Sequence, residues 1–110
     1  METLETRENG VVILSVSGRV DAANAGSFQQ QLLGLVEAGE HRLVLDLAGL
    51  DYMSSAGFRV LLVAAKRVAA VHGKLALASL QEPVREVFEI AGFSSFLRIF
   101  STREDAVAAV

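Results

Sequence analysis

The sequence predicts an α/β fold, organised as one domain over residues 1–110 with a mixed, mostly parallel sheet of four to five strands and about four helices. Three observations support this prediction. Short β-branched or apolar stretches alternate with longer stretches of helical periodicity. Glycines and capping residues separate these stretches. The composition is 52% apolar in 110 residues, which suits one domain with one core.

The first half of the chain predicts a hairpin, a helix and a buried strand. The turn pair Asn9-Gly10 can join strands at residues 3–6 and 11–18. A helix follows, with Asp21 as a possible cap and Gly39 as its stop. Its apolar residues recur at helical intervals at Phe28, Leu32, Leu35 and Val36. Residues 42–47, RLVLDL, then predict a buried strand.

The second half predicts three more helices and two more strands. A long helix covers residues 55–73 and ends at Gly73, and the strand KLALASL follows it. The next helix, EPVREVFEIAG, places four apolar residues on one face: Val84, Val87, Phe88 and Ala91. Residues 96–100, FLRIF, predict the last strand. Residues 101–110 open with a serine and an acidic first turn, which predicts a short helix.

This order of elements indicates where a functional site should lie. Strands separated by helices require right-handed crossovers and parallel pairing, and the hairpin adds an antiparallel edge. In open α/β sheets, sites collect in the loops beyond the carboxyl ends of the strands. We therefore expect the site in the loops at residues 18–24 and 47–57.

Composition argues against several classes of function. The net charge is −3 and the basic residues are scattered, so we expect no nucleic-acid partner. The chain has no cysteine, which removes disulfides and thiolate chemistry and favours a reducing compartment, so the expected location is cytoplasmic. No apolar run approaches the roughly 20 residues of a membrane span. No nucleotide-binding glycine motif occurs, so no cofactor is predicted.

The adjacent serines Ser54 and Ser55 are poor candidates for a catalytic nucleophile. An activated serine needs a base within hydrogen-bond reach. His72 lies at the other end of the predicted helix, roughly 25 Å away, and His41 precedes the strand whose far end leads to the serines. The G-x-S-x-G elbow of hydrolases is absent. The sequence thus predicts a protein that is not an enzyme.

Carboxylates near the same loops could be magnesium ligands or ordinary turn and cap residues. The candidates are Asp46 and Asp51, with Asp21 as a third oxygen ligand. The interpretation of these carboxylates as turn and cap residues is favoured, and no metal site is predicted.

A serine at a helix start has two physically sensible roles. Its hydroxyl can cap the helix by accepting from a free backbone N–H of the first turn. Alternatively, it can carry a phosphate, which the free amides and the positive end of the helix dipole would tolerate. The phosphate would add up to two negative charges beside Asp21 and Asp51, so a partner fitted to neutral hydroxyls would be expelled.

Two stretches resemble a known family. GRVDAANA, followed by RLVLDLAGLDYMSSAGFRVLL, resembles the STAS domain of anti-sigma factor antagonists, and the order of strands and helices agrees over nearly the whole chain. In the family pattern, Asp46-Leu47 close a strand and Tyr52-Met53 are an aromatic and apolar pair. Ser55 then falls on the phosphorylated serine, Gly57 on the glycine, and Asp21 on an aspartate of the first loop.

The chain departs from the family pattern at two positions. Many members carry an aspartate just before the acceptor, where this chain has Ser54, and a serine or threonine after it, where this chain has Ala56. The neighbouring hydroxyl leaves Ser54 as the second candidate acceptor. The missing aspartate also removes a negative charge that a kinase could recognise.

The resemblance implies partner switching. The unmodified antagonist would bind an anti-sigma factor of the serine-kinase type, phosphorylation of Ser55 would end the binding, and a PP2C-type phosphatase would restore it. ATP and magnesium would belong to the kinase. The alternative is an accessory or scaffold subunit of a transport or stress-signalling assembly.

The predicted partner-binding residues are Asp21, Asp51, Met53, Ser54, Ser55, Gly57, Phe58 and Arg59. Several have competing structural roles. Met53 and Phe58 also suit the core, and Gly57 could let another stretch of backbone approach the first helical turn. Arg59 could lie on a solvated face, or could meet an acidic group of the partner or the phosphate itself.

Overall fold

The computed structural model of the chain describes residues 1–93 and 97–110. A twisted sheet has helices on both faces. In chain order the described elements are β1 Glu2–Glu8, β2 Val11–Val20, α1 Ala25–Glu37, β3 Arg42–Asp46, β4 Leu50–Met53, α2 Ser55–Ala70, β5 Lys74–Ala78, α3 Glu82–Ile90, β6 Arg98–Phe100 and α4 Arg103–Ala109. The predicted last strand began at Phe96, which lies outside the described residues.

The sheet confirms the predicted α/β class and mixed pairing. Its order is β1-β2-β3-β5-β6, with β4 paired to β2. The β1–β2 pair is antiparallel and the others are parallel. The described residues therefore contain six strands, not four to five. The sequence missed β4 because its four residues are buried only at Leu50 and Met53, so they do not alternate.

Strand β2 changes partner part of the way along its length. Its first part pairs with β3 as far as Ser15 and Asp46. An irregularity between Gly18 and Arg19 then turns the strand toward β4. Gly18 takes a φ of +84°, which favours glycine, and its N–H donates to the carbonyl of Gly49 at 2.9 Å. The start of α2 is thereby placed beside the carboxyl end of β2.

Alternate residues of each strand pack on opposite faces of the sheet. Leu43, Leu45, Leu75 and Leu77 belong to the larger cluster, which the apolar sides of α1, α2 and α3 complete. On the other face, Val44, Ala76 and Ala78 belong to a smaller cluster with residues of α4. Strands β3 and β5, which lie between β2 and β6 in the sheet, are therefore buried on both faces, which accounts for their continuous apolar sequence.

Two helix ends differ from the prediction. Helix α1 begins at Ala25 with Asn24 at its N-cap, so Asp21 does not cap it. Helix α2 ends at Ala70, and the left-handed residue after it is His72, with a φ of +58°. Gly73 serves a different purpose, because a Cβ at that position would lie 2.5 Å from the carbonyl oxygen of His41.

Helices α3 and α4 also depart from the predicted pattern. In α3, Val84 and Phe88 are buried, whereas Val87 is 44% exposed and Ala91, just after the helix, is exposed. The apolar face of α3 is thus only partly covered by the rest of the protein. In α4 the cap is Thr102, whose Oγ1 accepts from the N–H of Asp105 at 3.1 Å, and the acidic first turn is present.

Candidate partner-binding site

The two serines occupy different environments at the start of α2. Ser54 is the N-cap, with extended backbone, and its N–H donates to the carbonyl of Val20 at 2.9 Å. Its Oγ is buried and has no hydrogen-bond partner among the described residues. Ser55 is the first residue of the helix and is exposed. Ser55 is therefore the accessible hydroxyl of the pair.

The backbone around Ser55 is suited to negative charge. The first intrahelical bond runs from the N–H of Phe58 to the carbonyl of Ser54 at 3.1 Å, so the preceding N–H groups lie outside the helical ladder. Helix α2 is sixteen residues long, and its dipole places partial positive charge at this end. A phosphate on Ser55 would be stabilised there without rearranging the helix.

Gly57 allows the first turn of α2 to pack closely on the strands. A Cβ at Gly57 would lie 2.6 Å from Cγ of Met53 and 2.9 Å from Cγ1 of Val20. The atoms that approach this glycine are thus side-chain atoms, and not the backbone that the sequence predicts. Met53 is only 6% exposed and belongs to the core, although it also contributes to the groove described next.

An apolar groove of about 520 Å³ lies beside Ser55, between the start of α2 and α3. It is lined by Tyr52, Met53, Ser54, Ser55, Phe58, Arg59, Leu62, Val87, Ala91 and Phe93. Phe58 forms one wall, with its ring stacked on Phe93 at 5.2 Å and edge-on to Phe88 at 4.8 Å. Phe58 is therefore both a core residue and a lining residue. We call this feature the α2–α3 groove.

Sequence reasoning missed two features of the groove. The sequence predicts Val87 and Ala91 on the same helical face as Val84 and Phe88, but only the latter two are buried, and Val87 and Ala91 line an open surface. Arg19 had no predicted role, yet its guanidinium carbon lies 4.4 Å from the ring centroid of Tyr52, a groove residue. The pairing of Arg19 with Tyr52 depends on the register between β2 and β4, and β4 itself was not predicted.

The predicted site residues separate into two groups. Met53, Ser54, Ser55, Phe58 and Arg59 line the α2–α3 groove, and Gly57 packs behind them. Asp21 and Asp51 are not among the lining residues. Asp51 is exposed on β4.

Asp21 shapes the loop that precedes α1. Its Oδ1 accepts from the N–H groups of Ala23 and Asn24 at 3.0 and 3.2 Å. Asn24 in turn accepts from the N–H of Asp21 and donates to the carbonyl of Arg19, both at 2.9 Å. The carboxylate is half-buried in this network. Asp21 thus holds the loop at the carboxyl end of β2, next to the start of α2.

Asp46 lies apart from the groove and forms an ion pair. Its Oδ2 lies 2.8 Å from Nη2 of Arg103, and its Oδ1 accepts from the N–H of Ala48 at 3.1 Å. Over residues 1–93 and 97–110 there is no cluster of three metal-ligating side chains, nor a helix long and apolar enough to cross a membrane. His41 and His72 lie together at the amino ends of β3 and β5, opposite Ser55.

Fold and site together define a small α/β protein that presents a helix-start hydroxyl beside an apolar groove. The chain belongs to the STAS domain family, which it matches over residues 3–106. It is 48% identical to BtrV of Bordetella bronchiseptica, a candidate anti-sigma factor antagonist, over 92% of this chain and 87% of BtrV.

More distant similarities point to the same group of proteins. The anti-sigma-F factor antagonist RsfB of Mycobacterium tuberculosis is 26% identical, over 93% of this chain and 83% of RsfB. The crystal structure of an anti-sigma factor antagonist from Mycobacterium paratuberculosis has the same fold, with a TM-score of 0.91 at 24% identity. That match covers 99% of this chain and 92% of the other.

Proposed function

We propose that this protein is an anti-sigma factor antagonist whose binding to its partner is switched by phosphorylation of Ser55. The partner is an anti-sigma factor of the serine-kinase type, and a PP2C-type phosphatase removes the phosphate. In this proposal the protein binds and is modified, but catalyses nothing itself. Identity of 48% to BtrV over most of both chains supports the assignment to this group.

The observation that carries the proposal is the contrast between the two serines. A kinase must reach the hydroxyl that it modifies. Ser55 is exposed at the start of α2, whereas Oγ of Ser54 is buried. This difference in access supports Ser55 as the acceptor over Ser54.

The location of Ser55 also supports a role in docking. A phosphate there would carry about −1.5 to −2 charges at neutral pH. It would stand at the mouth of an apolar groove, where a partner surface has to exclude water. Burying that charge against a partner that lacks a matching cation would be strongly unfavourable. The same hydroxyl left unmodified is small and neutral and would not oppose docking.

A binding experiment with three proteins tests this function. The probe is a purified candidate anti-sigma factor with serine-kinase activity, titrated calorimetrically with the unmodified protein, Ser55→Glu and Ser55→Gln. The two variants have side chains of nearly equal size, and only one is charged. We expect Ser55→Glu to bind far more weakly than Ser55→Gln. Equal affinity of Ser55→Glu and the unmodified protein would contradict the proposal.

Phosphorylation itself is tested by incubation with the same kinase and ATP, followed by mass mapping. The unmodified protein and Ser54→Ala should gain one phosphate on Ser55, and Ser55→Ala should gain none. Treatment with a PP2C-type phosphatase should restore both the mass and the affinity of the unmodified protein. Modification of Ser55→Ala to the same extent would reject Ser55 as the acceptor.

A further inference from the structure

Two arginines beside the α2–α3 groove have no polar partner among the described residues. These are Arg19 and Arg59. The remaining arginines have such partners: Arg7 with Glu40, Arg42 with backbone carbonyls, Arg67 with Glu37, Arg85 with Glu82, Arg98 with a backbone carbonyl and Arg103 with Asp46. Unpaired guanidinium groups are therefore concentrated at this surface.

The two arginines are related to the groove in different ways. Arg59 is exposed on α2 and lines the groove, and it is the only charged residue in the described lining. Arg19 lies over the face of Tyr52, whose ring also lines the groove. Stacking on an aromatic face leaves the guanidinium N–H groups free at their edges. The groove thus has one guanidinium in its lining, that of Arg59, and a second, that of Arg19, stacked on a lining residue.

This arrangement indicates the chemistry of the occupant. An apolar side chain fits the space between Phe58 and Val87, and carboxylates fit the planar donor forks of Arg19 and Arg59. No carboxylate is among the described lining residues, so none neutralises Arg59 from within the groove. The complementary partner surface is therefore an apolar segment flanked by acidic residues.

Ser55 and Arg59 are also placed to meet each other. They are four residues apart on α2, a spacing that puts two side chains on the same face of a helix, about 5–6 Å apart at Cβ. Both line the same groove. A phosphate on Ser55 would lie within reach of the long Arg59 side chain, and arginine binds phosphate and carboxylate with the same pair of donors.

We propose that Arg59 is shared between two states, binding a carboxylate of the anti-sigma factor in the unmodified protein and the phosphate of Ser55 in the modified one. The proposal rests on the proposed function and adds a mechanism to it. Phosphorylation then ends binding by withdrawing a cation that the partner uses, as well as by adding charge. Arg19, which stacks on Tyr52, binds a second carboxylate of the partner.

The pairing of phosphate with Arg59 can be tested without any partner. The protein is produced with phosphoserine at position 55, and the phosphate is titrated by ³¹P NMR. A nearby cation favours the doubly charged phosphate, so the pKa of that phosphate should be lower by about half a unit than in the Arg59→Gln protein. Asp21, Asp51 and the α2 dipole act equally on both proteins. An unchanged phosphate pKa would overturn the pairing.

The role in docking is tested with the purified anti-sigma factor as the probe. Arg19→Gln and Arg59→Gln should each weaken binding about tenfold. Arg67→Gln, which removes an arginine from the same helix at its exposed pair with Glu37, should bind as the unaltered protein does. The inference would be overturned if the Arg19 and Arg59 variants bound the anti-sigma factor with unchanged affinity. Tighter binding, which a basic partner surface would produce, would also overturn it. If the unaltered protein binds no anti-sigma factor, the proposed function fails, while the NMR titration still decides whether Arg59 holds the phosphate.

Discussion

Arg103 and Asp46 join α4 to the end of β3 on the sheet face opposite the α2–α3 groove. Nη2 of Arg103 lies 2.8 Å from Oδ2 of Asp46, and the same guanidinium donates to Oγ of Ser15 at 3.0 Å. Asp46 is 9% exposed. Its other oxygen accepts from the N–H of Ala48, which begins the loop toward β4. One carboxylate thus both anchors α4 and shapes the chain that leads to the site.

Loss of Arg103 should destabilise the protein. Arg103→Met would leave Asp46 without its cation, and we expect the free energy of unfolding to fall by about 2 kcal/mol, because an uncompensated charge would remain largely buried. Urea denaturation measures this change. Arg67→Met is the matched control, because its 3.9 Å pair with Glu37 is exposed, and it should cost less than about 0.5 kcal/mol. Equal effects of the two substitutions would show that the Asp46 pair contributes no more than a surface pair.

A second ion pair should make stability depend on pH. Arg7 of β1 donates two hydrogen bonds to Glu40, at 2.9 and 2.8 Å, and these bonds lower the pKa of the Glu40 carboxyl. Because the pKa of Glu40 is lower in the folded than in the unfolded protein, the stabilisation is present above the unfolded pKa. It is lost as pH falls through the folded pKa.

The Arg7→Gln variant tests this dependence. By NMR titration, the pKa of Glu40 should rise toward its ordinary value, because the side-chain hydrogen bond is the largest cause of its depression. The stability difference between the two proteins should be present at neutral pH and should vanish in acid. A pKa of Glu40 that does not change in Arg7→Gln would contradict the prediction.

Substitution of Gly57 should strain the junction between α2 and the strands. In Gly57→Ala the new methyl group would overlap Met53 and Val20, so we expect a loss of about 1–3 kcal/mol in the free energy of unfolding. The control is Gly34→Ala on α1, where a Cβ meets nothing within 4 Å. That change should instead stabilise the helix, by about 0.5–1 kcal/mol. Stabilisation by both substitutions would mean that the α2 junction is more adaptable than its contacts indicate.

The sequence predicted what local periodicity determines and missed what depends on distant residues. The helices followed from apolar spacing, and Ser55 at a helix start followed from the pattern around it. Strand β4 was too short to show alternation. Val87 and Phe88 share one apolar pattern in α3, and only packing reveals that the first is open and the second buried. Arg103 meets Asp46 across 57 residues, so no local signal could pair them.

Ser54 and Thr102, the N-cap residues of α2 and α4, should respond differently to removal of their hydroxyl groups. Thr102 accepts a hydrogen bond from the N–H of Asp105 at 3.1 Å, so Thr102→Ala should cost about 1 kcal/mol of unfolding free energy. Oγ of Ser54 is buried without a partner among the described residues, so its removal forfeits no hydrogen bond. We expect Ser54→Ala to leave stability unchanged or raise it by up to about 1 kcal/mol, since an unsatisfied buried hydroxyl is itself unfavourable.

Urea denaturation of the two variants under the same conditions measures this difference. A loss in Ser54→Ala equal to that in Thr102→Ala would mean that the Ser54 hydroxyl caps α2 in solution. The result bears on the switch, because a hydroxyl that caps α2 would compete with a Ser55 phosphate for the same free amides of the first turn. If the Ser54 hydroxyl makes no such bond, those amides are available to the phosphate, and Ser54→Ala should not alter the phosphate pKa measured at position 55.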